Sequence, residues 1–600
     1  MPAEEVQDRH EGAALPGAEA GPAGAPERPI YYRSLLEFLR QLPGASQRFW
    51  VLVVATGVVS GLGAVGLLAL LNLVKRLAWG DAATFAAAFA AASPARRIAV
   101  PAVAGGLVTA MMLLARGRLG GHGTSGIIEA IWVQRGRLPL QRSLLRGVVS
   151  IVAVGMGASL GREGALLQTG AASGSWLAQR FRLSGGRTRL LVACGAASGI
   201  AAAYNVPIGG ALFGLEVLLG SFALELLGPI VVSCVTATMI ARLFLGASPT
   251  YAVPGYALLK PTELLLCLVM APLLGVAAAA YIKVLGWTEV QLYRLPRWLA
   301  VLLPPAAMGI VGAAAVRFPD VLGNGYDTVE ATLLGRTAFV VLLVLPFLKL
   351  AATALCAGAG VPGGLFTPSL MYGALLGGAL GEIAHRVYPG LGAPASAFAL
   401  VGMAGVLAGT THASVSAVLI IFELTGDYGV IVPLMLSAFV AAATSRALDP
   451  ESLYTAPLRR RGVKLPELPR PDWLRATPIE EIVRPEFEMV TPDAPLRSVL
   501  PRLLTLPPGS DLYVAGEGGV YLGVLTLEGV KEHIGGGSLL PMTAGDVMDK
   551  AVQPLTAGMR LSEAASRLAD AVSEELPVVD ERRRIVGTAS KRDILKRGRF

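Results

Sequence analysis

The sequence predicts an all-α polytopic membrane protein, built as an inverted repeat of broken helices and followed by a small α/β domain pair. Hydrophobic residues make up 54% of the chain and charged residues only 16%, which is a membrane-protein composition. Uncharged apolar runs long enough to cross a bilayer recur between about residues 49 and 448. Beyond that point charged residues return at the density of a soluble domain.

The apolar runs define the membrane domain, although several are interrupted by Gly or Pro. Short or broken helices are tolerated at membrane depth where they line a cavity enclosed by protein. The 72 glycines of the chain, many of them in these runs, suit close helix packing in lipid. The clearest runs are 49–74, 98–115, 190–215, 226–241, 264–282, 299–316 and 350–381.

Composition also sets the predicted domain boundaries. Residues 1–30 are rich in Ala, Gly, Pro and Glu and are predicted to be a disordered tail, and residues 31–47 read as an amphipathic helix. The membrane domain is assigned to residues 31–456, and residues 457–476 form a Pro- and Arg-rich linker. Residues 477–600 form the α/β pair.

The α/β pair divides into two similar modules, about 477–535 and 543–600. The first combines Val490-Thr491-Pro492 with Gly523-Val524-Leu525-Thr526. The second contains Leu576-Pro577-Val578-Val579-Asp580, then a second strand pattern from Ile585 that leads into Ser590-Lys591-Arg592-Asp593. Alternating strand, turn, strand and helix patterns predict two small α/β units.

The net charge of +9 does not indicate a nucleic-acid-binding protein. Arginine and lysine mostly flank the apolar runs, as at 75–76, 96–97 and 459–461. That placement is typical of membrane anchoring and cytoplasmic loops. The predicted partners are therefore membrane lipid and a small solute, with no nucleic acid.

The chain is organised around Gly-Met-Gly-Ala-Ser-Leu-Gly-Arg-Glu-Gly at 155–164, which places one carboxylate, Glu163, between glycines inside a membrane domain. An intramembrane ionisable residue is by default a functional-site hypothesis. An uncharged run resumes at Ala165, so the glycines read as the turn before a helix, and helix N-termini attract anions. A carboxylate there can occupy the anion site and leave it. The alternative is a buried structural ion pair between Arg162 and Glu163.

Two related halves are predicted, about 49–227 and 263–445. Each contains a Gly-rich break before a helix, at 161–164 and 363–368, and each ends in a short apolar helix closed by a carboxylate, Glu216 or Glu423. Paired breaks in corresponding positions point to a midplane site in an inverted-repeat transporter. The alternative is chance similarity between low-complexity segments.

Four stretches in this order resemble the CLC family of chloride channels and proton/chloride exchangers. His122 lies in Gly-His-Gly-Thr-Ser-Gly, Glu163 in Gly-Arg-Glu-Gly, and Phe366 in Gly-Gly-Leu-Phe-Thr-Pro. Tyr454 lies in Glu-Ser-Leu-Tyr-Thr-Ala, just after the last apolar run. The resemblance covers nearly all of residues 49–456, and the C-terminal region is similar to the tandem CBS domains that follow many CLC membrane domains.

The resemblance implies a role for each of these stretches. Glu163 would be the gate, which blocks the outer anion site and swings away on protonation or displacement. Backbone N–H groups at Gly364, Leu365 and Phe366 would bind the central anion with the Tyr454 hydroxyl. The remaining residues of the implied anion-binding set are Gly161, Arg162, Gly164 and His122. Helix ends and a phenol hydroxyl donate to an anion without a full counter-charge that would trap it.

Some positions allow an alternative interpretation, and some depart from the sequence pattern of the family. Tyr454 is alternatively an interfacial belt tyrosine. The first family motif usually reads Gly-Ser-Gly-Ile-Pro, and here His122 takes the serine position and Ser125 the proline position. Neutral histidine still donates one hydrogen bond, so His122 is either an anion ligand or a structural histidine. Ala165 replaces the proline that usually follows Gly-Arg-Glu-Gly, which is expected to alter only the helix start.

The inner proton-path position bears on mechanism. Family exchangers usually carry two carboxylates after the Phe-x-x segment, which here reads Phe213-Gly214-Leu215-Glu216-Val217. Glu216 matches the first carboxylate, while Val217 replaces the second and cannot carry a proton. We therefore expect a passive voltage- or pH-dependent chloride channel. A proton-coupled chloride antiporter, or a CLC that prefers fluoride or nitrate, is the alternative; another solute carrier or a membrane enzyme with CBS regulation is a remote one.

The resemblance further implies a homodimer in the plasma or inner membrane, with cytoplasmic CBS domains. It suggests adenine nucleotide (ATP, ADP or AMP) between the modules, although no cofactor is required for transport. Ser590 and Asp593 match the Thr/Ser-x-x-Asp ribose motif. In the first module Thr526 is followed by Gly529 where an aspartate is expected, so at most one good site remains. A purely structural role in dimer contact is the alternative.

Overall fold

The computed structural model describes residues 45–82, 84–114, 123–251, 253, 255–256, 260–463, 477–507, 510–527, 529–530, 542–571 and 573–597. The predicted tail, most of the predicted helix at 31–47, and His122 lie outside these residues. So do residues 464–476 of the predicted linker and the stretch between the two C-terminal modules.

The membrane domain is built of α-helices, many of them short. The helices of the first half are α1 (Ala45–Trp79), α2 (Phe85–Ala91), α3 (Pro94–Leu114), α4 (Gly123–Trp132), α5 (Leu140–Gly155), α6 (Glu163–Arg180), α7 (Gly185–Tyr204), α8 (Pro207–Phe213) and α9 (Leu224–Leu245). A π-helical turn, Gly214–Leu219, continues α8.

The second half follows the same general plan. Its helices are α10 (Pro261–Tyr293), α11 (Arg297–Arg317), α12 (Tyr326–Leu333), α13 (Phe339–Gly358), α14 (Phe366–Val387), α15 (Ala397–Thr411), α16 (Ser414–Thr425), α17 (Ile431–Leu448) and the short α18 (Ala456–Arg460).

Several of these helices are long and apolar enough to cross a membrane. Within the described residues they are Gln47–Trp79, Pro94–Leu114, Leu224–Leu245, Pro261–Tyr293, Trp298–Arg317, Phe339–Gly358 and Tyr428–Leu448.

Two of the apolar runs in the sequence are each divided between two helices. Run 190–215 breaks after Tyr204, because Asn205 adopts a left-handed conformation (φ +58°) that ends α7 and Pro207 begins α8. Run 350–381 breaks at Gly360 (φ +84°), where Val361 and Pro362 lead into the Gly-Gly turn before α14. Apolar length alone does not reveal these breaks, which create helix ends inside the protein.

In both halves, the central helices pack through close contacts between glycine residues. In the first half, a Cβ atom on Gly170 of α6 would lie 2.1 Å from the Gly195 carbonyl oxygen of α7, and the reverse distance is also 2.1 Å. In the second half, a Cβ on Gly402 of α15 would lie 2.1 Å from the Gly373 oxygen of α14. Only glycine allows backbones to approach so closely. The α6–α7 and α14–α15 pairs form the centre of the domain, and every residue of α15 is buried.

The short helices of the two halves cap one another. The Glu216 carboxylate accepts hydrogen bonds from the N–H (2.8 Å) and hydroxyl (2.6 Å) of Ser416, at the N-terminus of α16. The Glu423 carboxylate, at the other end of α16, accepts from the N–H groups of Ile208 (3.1 Å) and Gly209 (2.6 Å) at the N-terminus of α8. A carboxylate at a helix N-terminus satisfies free N–H groups and complements the helix dipole. The reciprocal arrangement supports the prediction of related halves.

The C-terminal region contains two three-stranded sheets with the same order and directions. In the first, β1 (Met489–Val490) is parallel to β2 (Leu512–Ala515), which is antiparallel to β3 (Tyr521–Leu525). In the second, β4 (Leu555–Thr556) is parallel to β5 (Glu575–Val579), which is antiparallel to β6 (Ile585–Ser590). The sequence analysis missed β2, which lies between the two segments that it assigned to the first module.

Helices complete the two modules, and each module has its own apolar core. The helices are α19 (Leu496–Thr505), α20 (Ala544–Val547), α21 (Leu561–Asp570) and α22 (Lys591–Arg597). A third apolar cluster joins the sheets through Tyr513, Tyr521, Val524, Val579 and Ile585. The modules therefore bury a common interface.

Candidate functional site

The two Gly-rich turns of the membrane domain meet directly. The Gly161 N–H donates to the Gly364 carbonyl oxygen (2.8 Å), and the Gly364 N–H donates to the Gly161 oxygen (2.7 Å). This antiparallel bridge brings the first residue of α6, Glu163, to the N-terminus of α14. A Cβ at either glycine would lie within about 2 Å of the Glu163 carboxylate, at 2.0 Å for Gly161 and 2.1 Å for Gly364. With the Glu163 carboxylate in this position, neither glycine has room for a side chain.

The Glu163 carboxylate occupies the N-terminus of α14. Its Oε1 accepts hydrogen bonds from the N–H groups of Phe366 (2.7 Å) and Thr367 (3.2 Å). The side chain is only 1% exposed. Free N–H groups and the positive end of the helix dipole make this position suited to a negative charge. One protein carboxylate therefore fills a place that is suited to an anion.

Two hydroxyl groups contact the other carboxylate oxygen. The Thr367 hydroxyl lies 2.8 Å and the Tyr204 hydroxyl 3.0 Å from Oε2 of Glu163. The two hydroxyl oxygens lie 2.6 Å apart. Tyr204, the last residue of α7, reaches Glu163 because α7 packs against α6. The sequence analysis missed both residues, although Thr367 stands in the motif that it quoted.

Arg162 does not form the ion pair with Glu163 that was the alternative interpretation. Within the described part of the chain its guanidinium has no carboxylate within ion-pair distance, and Nη2 donates to the Ala203 carbonyl oxygen (3.3 Å). The guanidinium lies over the rings of Tyr204 (5.3 Å) and Tyr326 (5.0 Å). A cation over an aromatic face is stabilised by the ring quadrupole. Arg162 thus adds positive charge near the Glu163 carboxylate without forming an ion pair with it.

A row of aromatic rings connects this carboxylate to Tyr454. Ring centroids are 5.8 Å apart for Tyr204 and Phe366, 6.4 Å for Phe366 and Phe213, and 6.0 Å for Phe213 and Tyr454. Tyr454 is buried in the segment between α17 and α18. The predicted residues Glu163, Phe366 and Tyr454 therefore lie in one neighbourhood. Burial of Tyr454 argues against the alternative of an interfacial belt tyrosine.

The other predicted anion-binding residues differ in what they offer. Leu365 is buried and directly precedes α14. The Gly364 N–H is paired with the Gly161 oxygen, so in this conformation it has no hydrogen to offer an anion. Gly164 faces α4: a Cβ on Gly123 would lie 3.1 Å from its carbonyl oxygen. Gly123 follows His122, so the stretch around His122 leads to the N-terminus of α6, but His122 itself lies outside the described residues.

Comparison with known proteins identifies the family. The profile of the voltage gated chloride channel family matches residues 100–446, more than half of the chain. The chain belongs to the CLC family. Residues 544–599 match the CBS domain profile, so this CLC protein carries a C-terminal CBS domain. It is a multi-pass integral membrane protein that carries out CLC-type chloride transport, and it is not an enzyme.

Relatives cover most of the CLC chain. A ClcB-like chloride channel protein of Ralstonia nicotianae is 36% identical over 432 residues, which cover 70% of this chain and 98% of the relative. The voltage-gated ClC-type chloride channel ClcB of Escherichia coli is 33% identical over 376 residues, which cover 60% of this chain and 87% of the relative.

Solved structures share the CLC fold. A slow cyanobacterial Cl⁻/H⁺ antiporter matches with a TM-score of 0.63 at 24% identity, covering 69% of this chain and 98% of its own. A eukaryotic CLC transporter matches with a TM-score of 0.63 at 21% identity and covers 91% of this chain and 98% of its own. A CLC-type fluoride/proton antiporter matches with a TM-score of 0.57 at 20% identity, covering 71% of this chain and 99% of its own.

The two residues compared with the exchanger carboxylates, Glu216 and Val217, lie in the π-helical turn after α8. Val217 is partly buried. Glu216 is held at the N-terminus of α16 by three contacts, to the hydroxyl and N–H of Ser416 and the N–H of Val415 (3.4 Å). These donors fix the position of the carboxylate. Glu216 is therefore a helix cap in this structure.

The candidate nucleotide residues of the CBS region are partly occupied by protein contacts. Oδ2 of Asp593 accepts from the Ser590 hydroxyl (2.6 Å), and its Oδ1 forms an ion pair with Arg484. Asp593 is 9% exposed. In the first module the Thr526 hydroxyl accepts from the Gly529 N–H (3.0 Å). Both Ser590–Asp593 and Thr526–Gly529 therefore act as local turn or helix-start contacts here.

Proposed function

We propose that this chain is a passive chloride channel whose gate is Glu163. The observation that carries the proposal is the placement of the Glu163 carboxylate on the Phe366 and Thr367 N–H groups, where it competes with an anion for the same donors. Protonation removes its charge, and an incoming chloride can then take the N–H groups. The gate opens when the carboxyl group leaves the N-terminus of α14.

The anion path that we propose runs along the aromatic row from the N-terminus of α14 to Tyr454. The N–H groups of Leu365 and Phe366 and the Tyr454 hydroxyl bind the central anion, each as a neutral donor. Gly161, Arg162 and Gly164 belong to the same site because they shape the gate turn. Gly364 contributes through its bridge to Gly161 in the closed state, rather than as a free donor.

Passive conduction rests on the inner proton path. A proton cannot cross a dry apolar stretch unless side chains or ordered water carry it, because a bare charge there costs several kcal/mol or more. Val217 offers no such group, and Glu216 is engaged as a helix cap. The relatives at 33–36% identity are also named as chloride channels, which agrees with passive conduction.

A chloride gradient across liposomes tests this proposal. Purified protein is reconstituted, and proton movement and membrane current are measured while chloride flows down its gradient. We expect no uphill proton movement and a current that reverses at the chloride Nernst potential. Uphill proton movement that Glu163→Ala abolishes would refute the channel and establish an exchanger.

The second candidate function is proton-coupled chloride antiport. It is favoured by one observation: two of the structural neighbours are described as proton antiporters. In that case His122 or ordered water would replace the missing inner carboxylate. The same liposome experiment separates the two functions. A variant Val217→Glu, which restores the usual acceptor position, would increase coupling only in an exchanger that uses this route.

His122 bears on which anion is preferred. As a donor at the inner anion site it would set the preference among chloride, nitrate and fluoride. We expect His122→Ser, which restores the commoner family residue, to change the chloride-over-nitrate or chloride-over-fluoride permeability ratio. An unchanged ratio would favour a structural histidine.

The CBS region is proposed to bind adenine nucleotide at one site at most. Ser590 and Asp593 form that site, and Arg484 must leave Asp593 before a ribose can be accepted. Thr526 lacks an acidic partner at Gly529 and forms no second site. Titration calorimetry of the full-length protein with ATP, ADP and AMP tests this, with Asp593→Asn as the variant that abolishes binding. The first module is proposed to be a second CBS domain because its sheet has the same topology.

We also propose a homodimer with one anion path in each subunit and the CBS pair on the cytoplasmic side. This follows from family membership. Crosslinking in native membranes should yield a dimer, and a product that remains monomeric at all crosslinker concentrations would count against it.

A further inference from the structure

The three oxygen atoms at the gate form a closed ring of contacts. Oε2 of Glu163, the Tyr204 hydroxyl and the Thr367 hydroxyl are separated by 2.6, 2.8 and 3.0 Å, so each oxygen is within hydrogen-bonding distance of the other two. The side chains are 1%, 1% and 0% exposed, so bulk water does not reach them. Until a proton is added from outside, the hydrogens shared in this ring therefore come from its three members.

With Glu163 ionised, the ring has fewer hydrogens than contacts. Each hydroxyl supplies one hydrogen and the carboxylate supplies none. The 2.6 Å contact between Tyr204 and Thr367 requires a hydrogen, because two lone pairs at that distance repel. One hydroxyl hydrogen is then left for Glu163, and one of the two contacts to Oε2 has none.

Protonation of Glu163 completes the ring. A solvent proton added to Oε2 gives one hydrogen for each contact, and each oxygen then donates once and accepts once. Buried polar networks are stable when every member is satisfied and costly when one is not. The ring thus favours the protonated carboxyl, whereas the Phe366 and Thr367 N–H groups on Oε1 favour the ionised form.

We propose that Tyr204 and Thr367 are positioning residues that create a protonated but still bound state of the gate. In this state the Glu163 carboxyl has taken its proton and remains at the N-terminus of α14, so the path is still closed. The proposal rests on the proposed gate function of Glu163. The other titratable groups that interact with Glu163 are the phenols of Tyr281 and Tyr454, while the Arg162 cation lies over the Tyr204 ring.

Single removal of either hydroxyl gives a distinctive result. In Tyr204→Phe or Thr367→Val, the remaining hydroxyl donates to the ionised carboxylate, while the protonated ring is lost. More acid is then needed to protonate the gate, so the pH of half-maximal chloride efflux should fall by about one unit, the size of one hydrogen bond. Because the lost state is closed, efflux at the acid limit should also rise.

The double variant should reverse the direction. Tyr204→Phe with Thr367→Val leaves no hydroxyl donor for the ionised carboxylate, which therefore loses stability. The pH of half-maximal efflux should return to the wild-type value or exceed it. If the hydroxyls were only donors to an ionised gate, each single change would raise this pH and the double change would raise it further.

The experiment is chloride efflux from liposomes between pH 4 and 8, with two controls. Thr367→Ser keeps the hydroxyl and should keep the wild-type profile. Tyr251→Phe removes a buried phenol hydroxyl that has no hydrogen-bond partner among the described residues, and it should leave the profile unchanged. Single variants that raise the half-maximal pH or leave it unchanged would overturn the ring. If Tyr204→Phe does not fold, the comparison of Thr367→Val with Thr367→Ser alone tests the ring.

Glu163→Gln separates failure of the ring from failure of the gate. If the efflux of Glu163→Gln still follows pH as the wild type does, the proposed gate is wrong. If its efflux is independent of pH while the single hydroxyl variants fail to shift the profile as expected, the gate stands and the ring is wrong.

Discussion

The strongest test of the gate is Glu163→Gln. The amide can still accept from the Phe366 and Thr367 N–H groups, but without a negative charge. Hydrogen bonds to charged groups contribute about 1 kcal/mol more than neutral ones, so two such bonds lose about 2 kcal/mol. Because 1.4 kcal/mol corresponds to a factor of ten in an equilibrium constant, chloride should compete for these N–H donors about 30-fold better than it does against the wild-type carboxylate. We therefore expect faster chloride efflux at neutral pH.

The pH profile is the more informative readout. Gln does not titrate, so efflux from liposomes that contain Glu163→Gln should be nearly constant between pH 4 and 8. The matched control is Glu263→Gln. Glu263 is also a buried glutamate that accepts backbone hydrogen bonds, from Ala393 (2.9 Å) and Lys260 (3.1 Å), but it is not part of the anion path. A wild-type pH response in Glu163→Gln, or equal effects of both variants, would refute the gate.

Two further predictions concern the scaffold. Gly195→Ala places a Cβ 2.1 Å from the Gly170 oxygen and must push α6 and α7 apart. The melting temperature of this variant in detergent should fall, consistent with a cost of about 1–3 kcal/mol. Gly186→Ala, on the same helix but with open space around it, is the control and should not lower the melting temperature. Glu216→Gln should lower stability by about 1 kcal/mol because it caps α16 more weakly. The variant should leave the reversal potential of the chloride current unchanged. A shifted reversal potential would show that Glu216 carries protons.

Local sequence predicted the helix ends that form the gate. Gly-Arg-Glu-Gly and Gly-Gly-Leu-Phe-Thr-Pro each interrupt an apolar run, and α6 and α14 begin inside these predicted breaks, at Glu163 and Phe366. Glycine, proline and a following apolar run are local signals, so one sequence suffices to place them. The local sequence was also enough to recognise that Val217 replaces the second carboxylate that exchangers of the family usually carry.

Contacts between distant segments were not predictable in this way. Tyr204 reaches Glu163 only because Gly170 and Gly195 let α6 and α7 cross in contact, and nothing near Tyr204 in the sequence signals this. The pairing of Gly364 with Gly161, which removes a predicted donor, likewise depends on how two turns meet. Strand β2 was missed because its four residues are all buried and show no alternation.

The geometry of the gate links its charge to its hydrogen bonds. The positive N-terminus of α14 holds the Glu163 carboxylate, and in the proposed open state it holds chloride instead, so the same donors serve both closure and conduction. Oε1 faces backbone N–H groups that favour the charged form, while Oε2 faces two hydroxyls that are fully hydrogen-bonded only with an added proton. On the proposed ring, the two oxygens therefore have opposite preferences for an added proton. A change in pH or in chloride concentration can then release the carboxylate from the N-terminus of α14, which is the property a pH-dependent anion gate requires.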